Sequence, residues 1–288
     1  MSLPVFLSGP AQALLLGLGF SLLIAALAYW RGSLTLSGAF GAIVMGTLIF
    51  SIGGLSWGLL LVTFFVTSSA LSHYKERVKE PLAEKFQKGH RRDIGQVLAN
   101  GGWGALTALA FGASAHPLCF IAFAGAMATV NADTWATELG VLSKTAPRWI
   151  TNGQVVAVGT SGGVTPIGTL VAFLGALLIG VLAELFMFAA LEPTLGSARL
   201  RELLLFPLVI AAAGLLGSLF DSLLGATVQA IYFCDFDQKE TEAAWHRCGH
   251  AARWIRGWRW LDNDRVNFLA SVAGSLVAVA LFQVAAAF

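Results

Sequence analysis

The chain has 288 residues, of which 57% are hydrophobic and 12% charged, with mean hydropathy +0.74. A soluble domain carries about twice that charge, so the composition excludes a soluble globular protein and indicates a polytopic integral membrane protein. The net charge of +2 decides little, because the placement of basic residues, not their sum, orients a membrane protein.

Crossing a ~30 Å hydrocarbon core takes ~20 apolar residues. Eight runs approach that length: 11–30, 35–52, 55–72, 97–114, 117–139, 163–191, 203–232 and 265–287. The first follows an N-terminus without the basic stretch of a cleavable signal peptide and is expected to be a retained span. The second and third are separated only by "SIGGL" and read as a hairpin. The fold class expected is all-α: a helical bundle of about eight spans forming one transmembrane domain over 1–288. Its polar loops fall near 73–96, 140–162 and 233–264. Those loops, with Arg31, hold sixteen of the eighteen Lys and Arg residues, leaving Arg199 and Arg201 opposite. This bias puts the loops in the cytoplasm and both termini outside. "SGAFGAIVMGTLIF" at span two and "SGGVTPIGTLVAFLG" at span six echo one another, as a parallel 4+4 repeat would produce. Three cysteines, Cys119, Cys234 and Cys248, are an odd count in apolar settings and argue against a disulfide framework.

The polar segments gather at cytoplasmic span ends. "SHYKERVKEPLAEKFQKGHRRD" reads as a solvated charged helix whose cations could help hold a nucleotide. "GQVLANGGWG" puts Asn100 at the start of span four. In "NADTWATELG", Asn131, Thr134 and Glu138 share a helix face, with Asp133 off that stripe. Either the helix breaks there or the two acids meet different partners; an ordinary helix end reaching water is the simpler alternative. "VGTSGGVTPIGT" bends a Gly-rich loop into a helix N-terminus, a geometry suited to phosphate. Its candidate contacts are Gly159, Thr160, Ser161, Gly162 and Gly163, with Lys144 and Arg148 upstream as counter-charges; a plain flexible loop is the alternative.

In "GSLFDSLLGATVQ", Ser218, Ser222, Gly225 and Gln229 form a narrow stripe bordered by Asp221. That acid is expected about three turns inside span seven, where a carboxylate is costly and usually paired or functional. Around "HRCGH", His246, Cys248 and His250 alternate in a way that suits neither a helix nor a known zinc pattern. Trp245, Trp254, Trp258 and Trp260 amid arginines read as an interfacial helix. In "WLDNDRVNFLAS", Asn263, Asn267 and Ser271 line one face of span eight, with Asp262 and Asp264 as candidate caps.

Carboxylates beside a phosphate are how Mg²⁺ is commonly held, and phosphoryl transfer is mostly positioning and charge neutralisation. Asp133, Glu138 and Asp221 are therefore the candidate catalytic and metal-binding acids, supported by Asn100, Asn131, Ser222, Gln229, Asn263 and Asn267. Their place at membrane depth implies a lipid as second substrate.

The segments "RRDIGQVLANGG", "NADTWATELG", "PRWITNG", "VGTSGGVTPIGT", "DSLLGATVQ" and "WLDNDRVNFLAS" occur in order over residues 91–271. In these the chain resembles the family called domain of unknown function 92. That family includes transmembrane protein 19 and the phytyl-phosphate kinase of vitamin E (tocopherol) biosynthesis, and is distantly similar to CTP-dependent dolichol and phytol kinases. The resemblance implies a Mg²⁺-dependent kinase that moves a phosphoryl group from a nucleoside triphosphate, CTP favoured, to an isoprenoid monophosphate. The residues themselves leave two alternatives open: an ion-coupled transporter, since intramembrane acids also mark ion paths, and another lipid-phosphate transferase.

Overall fold

The computed structural model describes residues 9–75, 91–188 and 197–287. Helix α1 (Pro10–Trp30) begins with proline in its first turn, where a fixed φ and a missing N–H cost nothing. Helix α2 (Leu36–His73) is two arms joined at Gly54, whose φ of +77° and ψ of −167° lie in a region open essentially to glycine. The arms fold back on one another. The Thr35 N–H donates to the Arg92 carbonyl at 3.0 Å, and Arg92 Nη1 donates to Ser69 Oγ at 2.9 Å. A straight helix would hold residues 35 and 69 about 50 Å apart. Gly58 lets the arms close at the hinge, because a Cβ there would meet the Phe50 ring.

Helix α3 (Ile94–Ser114) starts with a capping box in which Asp93 and Gln96 each accept the other's backbone N–H. Helix α4 (Leu118–Gly140) follows, then α5 (Pro166–Phe188), capped by Thr165 through the Gly168 N–H at 2.9 Å. Helices α6 (Ser197–Thr227) and α7 (Asn263–Ala286) complete the bundle, and Asp262 caps α7 as expected. The protein is a helical integral membrane protein. Six helices among the described residues are long and apolar enough to cross a bilayer, α3 being the helix that falls short.

Helix α4 lies at the centre. Its Gly125 packs against Gly274 and Ala278 of α7, and its Ala128 and Thr129 receive Gly214 and Gly217 of α6. Residues this small let backbones approach where lipid supplies no hydrophobic drive between helices. At one end of the bundle Gly112 meets Ile52, and Trp57 packs on Phe111 and Phe120. At the other end gather the links that contain Arg92, residues 141–165 and residues 228–262.

Two expectations change. Helix α6 stops at Thr227 rather than 232, so Asp221 lies under two turns from its end. The 233–264 region is no interfacial helix. It holds a three-stranded antiparallel sheet in the order β4-β3-β5, with β3 Ile231–Cys234, β4 Lys239–Thr241 and β5 Arg253–Arg256. Gly249 (φ +84°) and Gly257 (φ +80°) forbid a continuous helix, and Gly257 packs so close to the Gln229 carbonyl that no side chain fits. The charged helix expected before Arg91 falls mostly on 76–90, outside the described residues. A small ribbon, β1 (Arg148–Trp149) with β2 (Gly163–Val164), pins the Gly-rich loop.

Candidate functional site

A cavity of about 300 Å³ opens at the end where the polar links gather. Helix α4 contributes Asp133, Thr134, Thr137 and Glu138; α6 contributes Ser218, Asp221 and Ser222; α7 contributes Asn263, Asp264 and Asn267. Gln96 and Asn100 project from α3, Arg92 from the segment before it, Glu242 from the end of β4, and Gly159 through Thr165 from the Gly-rich loop. Five carboxylates therefore face one guanidinium across a small volume.

The α4 helix is unbroken through both acids, so they meet different partners. Asp133 accepts from Ser218 Oγ at 3.4 Å and lies within charge range of Asp221, which also feels Glu242. Glu138, more than one turn further along, accepts from Ser72 Oγ at 2.7 Å and faces Arg92. Burial pulls the Arg92 guanidinium below its ordinary pKa, and Glu138 opposes that shift. Asp221 Oδ2 is buried with no hydrogen-bond donor among the described residues. With Asp133 and Glu242 beside this oxygen, the donor set fits a hard divalent ion.

The Gly-rich loop is held from both sides. Gly162 sits at φ +83° with its Cα against the Ala226 backbone, where a Cβ would lie 2.5 Å from the Ala226 nitrogen. The Thr160 and Gly163 N–H groups are used inside the loop, donating to Ala157 and Thr160 carbonyls. No backbone carbonyl among the described residues accepts the N–H of Gly159, Ser161 or Gly162. Of the five loop residues expected to contact phosphate, those three have main-chain donors to spare, and Thr160 lines the cavity with them.

Four expected residues lie elsewhere. Lys144 and Arg148 are exposed outside the cavity, and Arg148 Nη1 donates to the Gly153 carbonyl at 2.7 Å to close its own turn. Asn131 is fully buried, two residues before Asp133 on the same helix; it donates to the Gly175 carbonyl at 2.7 Å and accepts from Thr67 Oγ1 at 3.0 Å. It joins three helices and does not line the cavity. Gln229 lies behind the cavity wall. Its Oε1 accepts from Ser161 Oγ and its Nε2 donates to Glu242 Oε1, both at 2.9 Å, so it ties the Gly-rich loop to the sheet. Arg256 reinforces this wall by donating to the Gly225 and Ala226 carbonyls at the α6 C-terminus.

Glu242, Asp264 and Gln96 are cavity residues that sequence reasoning missed. Asp264 was read as a cap. Glu242 gave no signal, because only the sheet carries it back over the helices. Arg92 was one cation of a run read as a solvated charged helix whose cations could help hold a nucleotide.

The family model described as "Integral membrane protein DUF92" matches residues 19–275. The chain belongs to this family. It is 34% identical to Protein PGR of Arabidopsis thaliana, covering 96% of this chain and 99% of that one. It is 29% identical to an uncharacterized membrane protein of Methanocaldococcus jannaschii over 85% of this chain and 84% of that one. To Protein VTE6, chloroplastic, of Arabidopsis thaliana it is 28% identical over 87% of this chain and 66% of that one. No solved structure matches it.

This DUF92 protein has a second, apolar cleft of about 70 Å³ between α1, the two arms of α2, and α3. Ala25, Met45, Phe50, Leu61 and Phe65 line it, and Arg92, Gln96 and Asn100 line both it and the acidic cavity.

Proposed function

We propose that this chain is a membrane-embedded kinase that moves the terminal phosphoryl group of a nucleoside triphosphate, CTP favoured, to an isoprenoid monophosphate such as phytyl or geranylgeranyl phosphate. The observation that carries the proposal is the junction of an acid-lined cavity with an apolar cleft through Arg92, Gln96 and Asn100. A lipid phosphate would divide itself across that junction, with its chain among Met45, Leu61 and Phe65 and its phosphate at Arg92. In this reading the active site faces the cytoplasm.

Asp133 and Asp221, with Glu242 beside them, are the residues that would hold Mg²⁺. When bound, the ion neutralises phosphate charge and orients the triphosphate. Glu138, expected as a third ligand, instead steadies Arg92. The Gly159, Ser161 and Gly162 N–H groups and the Thr160 hydroxyl contact phosphate oxygens, while Ser222, Asn263 and Asn267 complete the polar wall. An oxygen of the lipid phosphate attacks the terminal phosphorus, the bond to the bridging oxygen breaks, and the nucleoside diphosphate leaves. A phosphate monoester, with a second pKa near 6, is already largely ionised at pH 7 and needs no general base. An alcohol acceptor would need one, and Asp133 or Asp221 would serve.

The test is direct. Purified protein is incubated with labelled CTP or ATP, Mg²⁺ and phytyl, geranylgeranyl or farnesyl monophosphate. Label in a lipid diphosphate, lost in Asp133→Asn and Asp221→Asn, supports the kinase. Absence of transfer to every acceptor, with substrate uptake in proteoliposomes, overturns it in favour of a transporter.

A further inference from the structure

The "HRCGH" stretch looked unsuited to metal because its ligands were sought within it. The sheet supplies the missing pair. Residues 235–238 link β3 to β4, and this turn presents Cys234 and Asp237. A second turn at 246–249, closed by the Gly249 N–H on the His246 carbonyl, presents His246 and Cys248. One donor atom from each of the four lies within 4.8 Å of all the others. Cys234 Sγ is 3.5 Å from Cys248 Sγ, His246 Nδ1 is 3.1 Å from Cys248 Sγ, and His246 Nδ1 is 3.0 Å from Asp237 Oδ2.

These separations are close to the edges of a tetrahedron. Zinc–ligand bonds of ~2.0–2.3 Å give edges of ~3.3–3.8 Å. The sulfurs are too far apart for a disulfide, whose S–S bond is ~2.05 Å. Cys234 and His246 are fully buried, so the donors are not scattered over a surface. His246 Nδ1 faces both a sulfur and a carboxylate oxygen, yet a ring nitrogen carries at most one hydrogen. The carboxylate brings none. A cation at the centre satisfies all four groups together. The Asp237 N–H donates to Cys234 Sγ at 3.5 Å, so this turn also braces its own thiolate ligand. His250 lies outside the four, stacked on Phe236.

We infer that Cys234, Asp237, His246 and Cys248 form a structural zinc site that clamps the sheet over the acidic cavity. All four coordination positions come from protein, which marks a structural rather than a catalytic centre. The sheet depends on such a clamp because its strands are only three to four residues long. Beyond β4 the chain carries Glu242, which Gln229 holds at the cavity wall. The inference stands whether or not the protein is a kinase.

The full chain, purified in detergent without chelator, should carry one zinc ion per molecule by elemental analysis. Replacing it with Co²⁺ should give thiolate-to-cobalt charge-transfer absorption. Cys234 and Cys248 should resist alkylation until a chelator is added, while Cys119 on α4 reacts equally in both states. Cys234→Ser, His246→Ala and Cys248→Ser should each lose zinc to background, whereas Cys119→Ser keeps it. Metal-free wild-type protein that shows no thiolate–cobalt absorption on adding Co²⁺ overturns the site. So does a Cys234–Cys248 disulfide in protein handled without oxidant, or full zinc retention in the Cys234→Ser, Cys248→Ser double variant. The cobalt and alkylation measurements use wild-type chain, so a variant that fails to fold leaves the test intact.

Discussion

Replacing Asp221 by Asn should move stability and activity in opposite directions. The side chain lies six residues before the end of α6, roughly 9 Å along the axis. It is therefore within the bundle but short of mid-membrane, where a carboxylate costs ~2.5–3.5 kcal/mol on insertion scales. No described group donates to its Oδ2, and Asp133 and Glu242 add like charge. Asn keeps the shape and cannot ionise beside Asp133 and Glu242, so without ligand the variant should gain about 1–2 kcal/mol. That corresponds to a thermal midpoint roughly 2–8 °C higher in detergent. Phosphoryl transfer should fall at least about 100-fold, near 2.7 kcal/mol of transition-state stabilisation. Mg²⁺ should raise the wild-type midpoint and leave that of the variant unmoved. Scanning calorimetry or thermofluor with and without Mg²⁺, beside the transfer assay, reads both effects. A midpoint lowered by several degrees with transfer intact would show that Asp221 is a packing group and refute the reasoning.

Gly162→Ala should lose nucleotide affinity at least 10-fold and stability by about 1–3 kcal/mol, because its φ and the Ala226 backbone both resist a Cβ; nucleotide titration and melting check it. Gln229→Leu should raise KM for nucleotide and cost about 1–3 kcal/mol, since Ser161 and Glu242 each lose a buried partner; unchanged kinetics would contradict its linking role. Arg92→Gln should be partly rescued by Glu138→Gln, with a coupling of about 1–3 kcal/mol in a double-mutant cycle of stability; simple additivity would argue that the two do not face one another. Asn131→Ala should destabilise by about 1–3 kcal/mol with KM for both substrates unchanged, because its contacts join helices only.

The misreadings have local causes. Asn131 and Glu138 do share a helix face, but periodicity gives direction along one helix and not what the next helix presents. Asn131 met the Gly175 carbonyl and Thr67, while Glu138, two turns on, met Ser72 and Arg92. Lys144 and Arg148 were near in sequence to the Gly-rich loop, yet the turn after β1 directs Arg148 onto the Gly153 carbonyl. The tryptophan-rich stretch was read at helical period although Gly249 and Gly257 demand left-handed backbone there. Cys234 and Asp237 were separated from His246 and Cys248 by enough chain that no spacing rule joined them.

What the sequence determined alone is set by composition and short-range chemistry. Hydrophobic length placed helices in a bilayer, Asp93, Thr165 and Asp262 set helix starts, Gly54 set a hinge, and charge inside apolar spans marked Asp133, Glu138 and Asp221 as candidate acids. What only the tertiary structure decided is which of these groups meet. Glu242 joins Asp221, Arg92 joins Glu138, and an apolar cleft meets the acidic cavity, because each pairing depends on helices packed through small residues at distances that sequence separation does not encode.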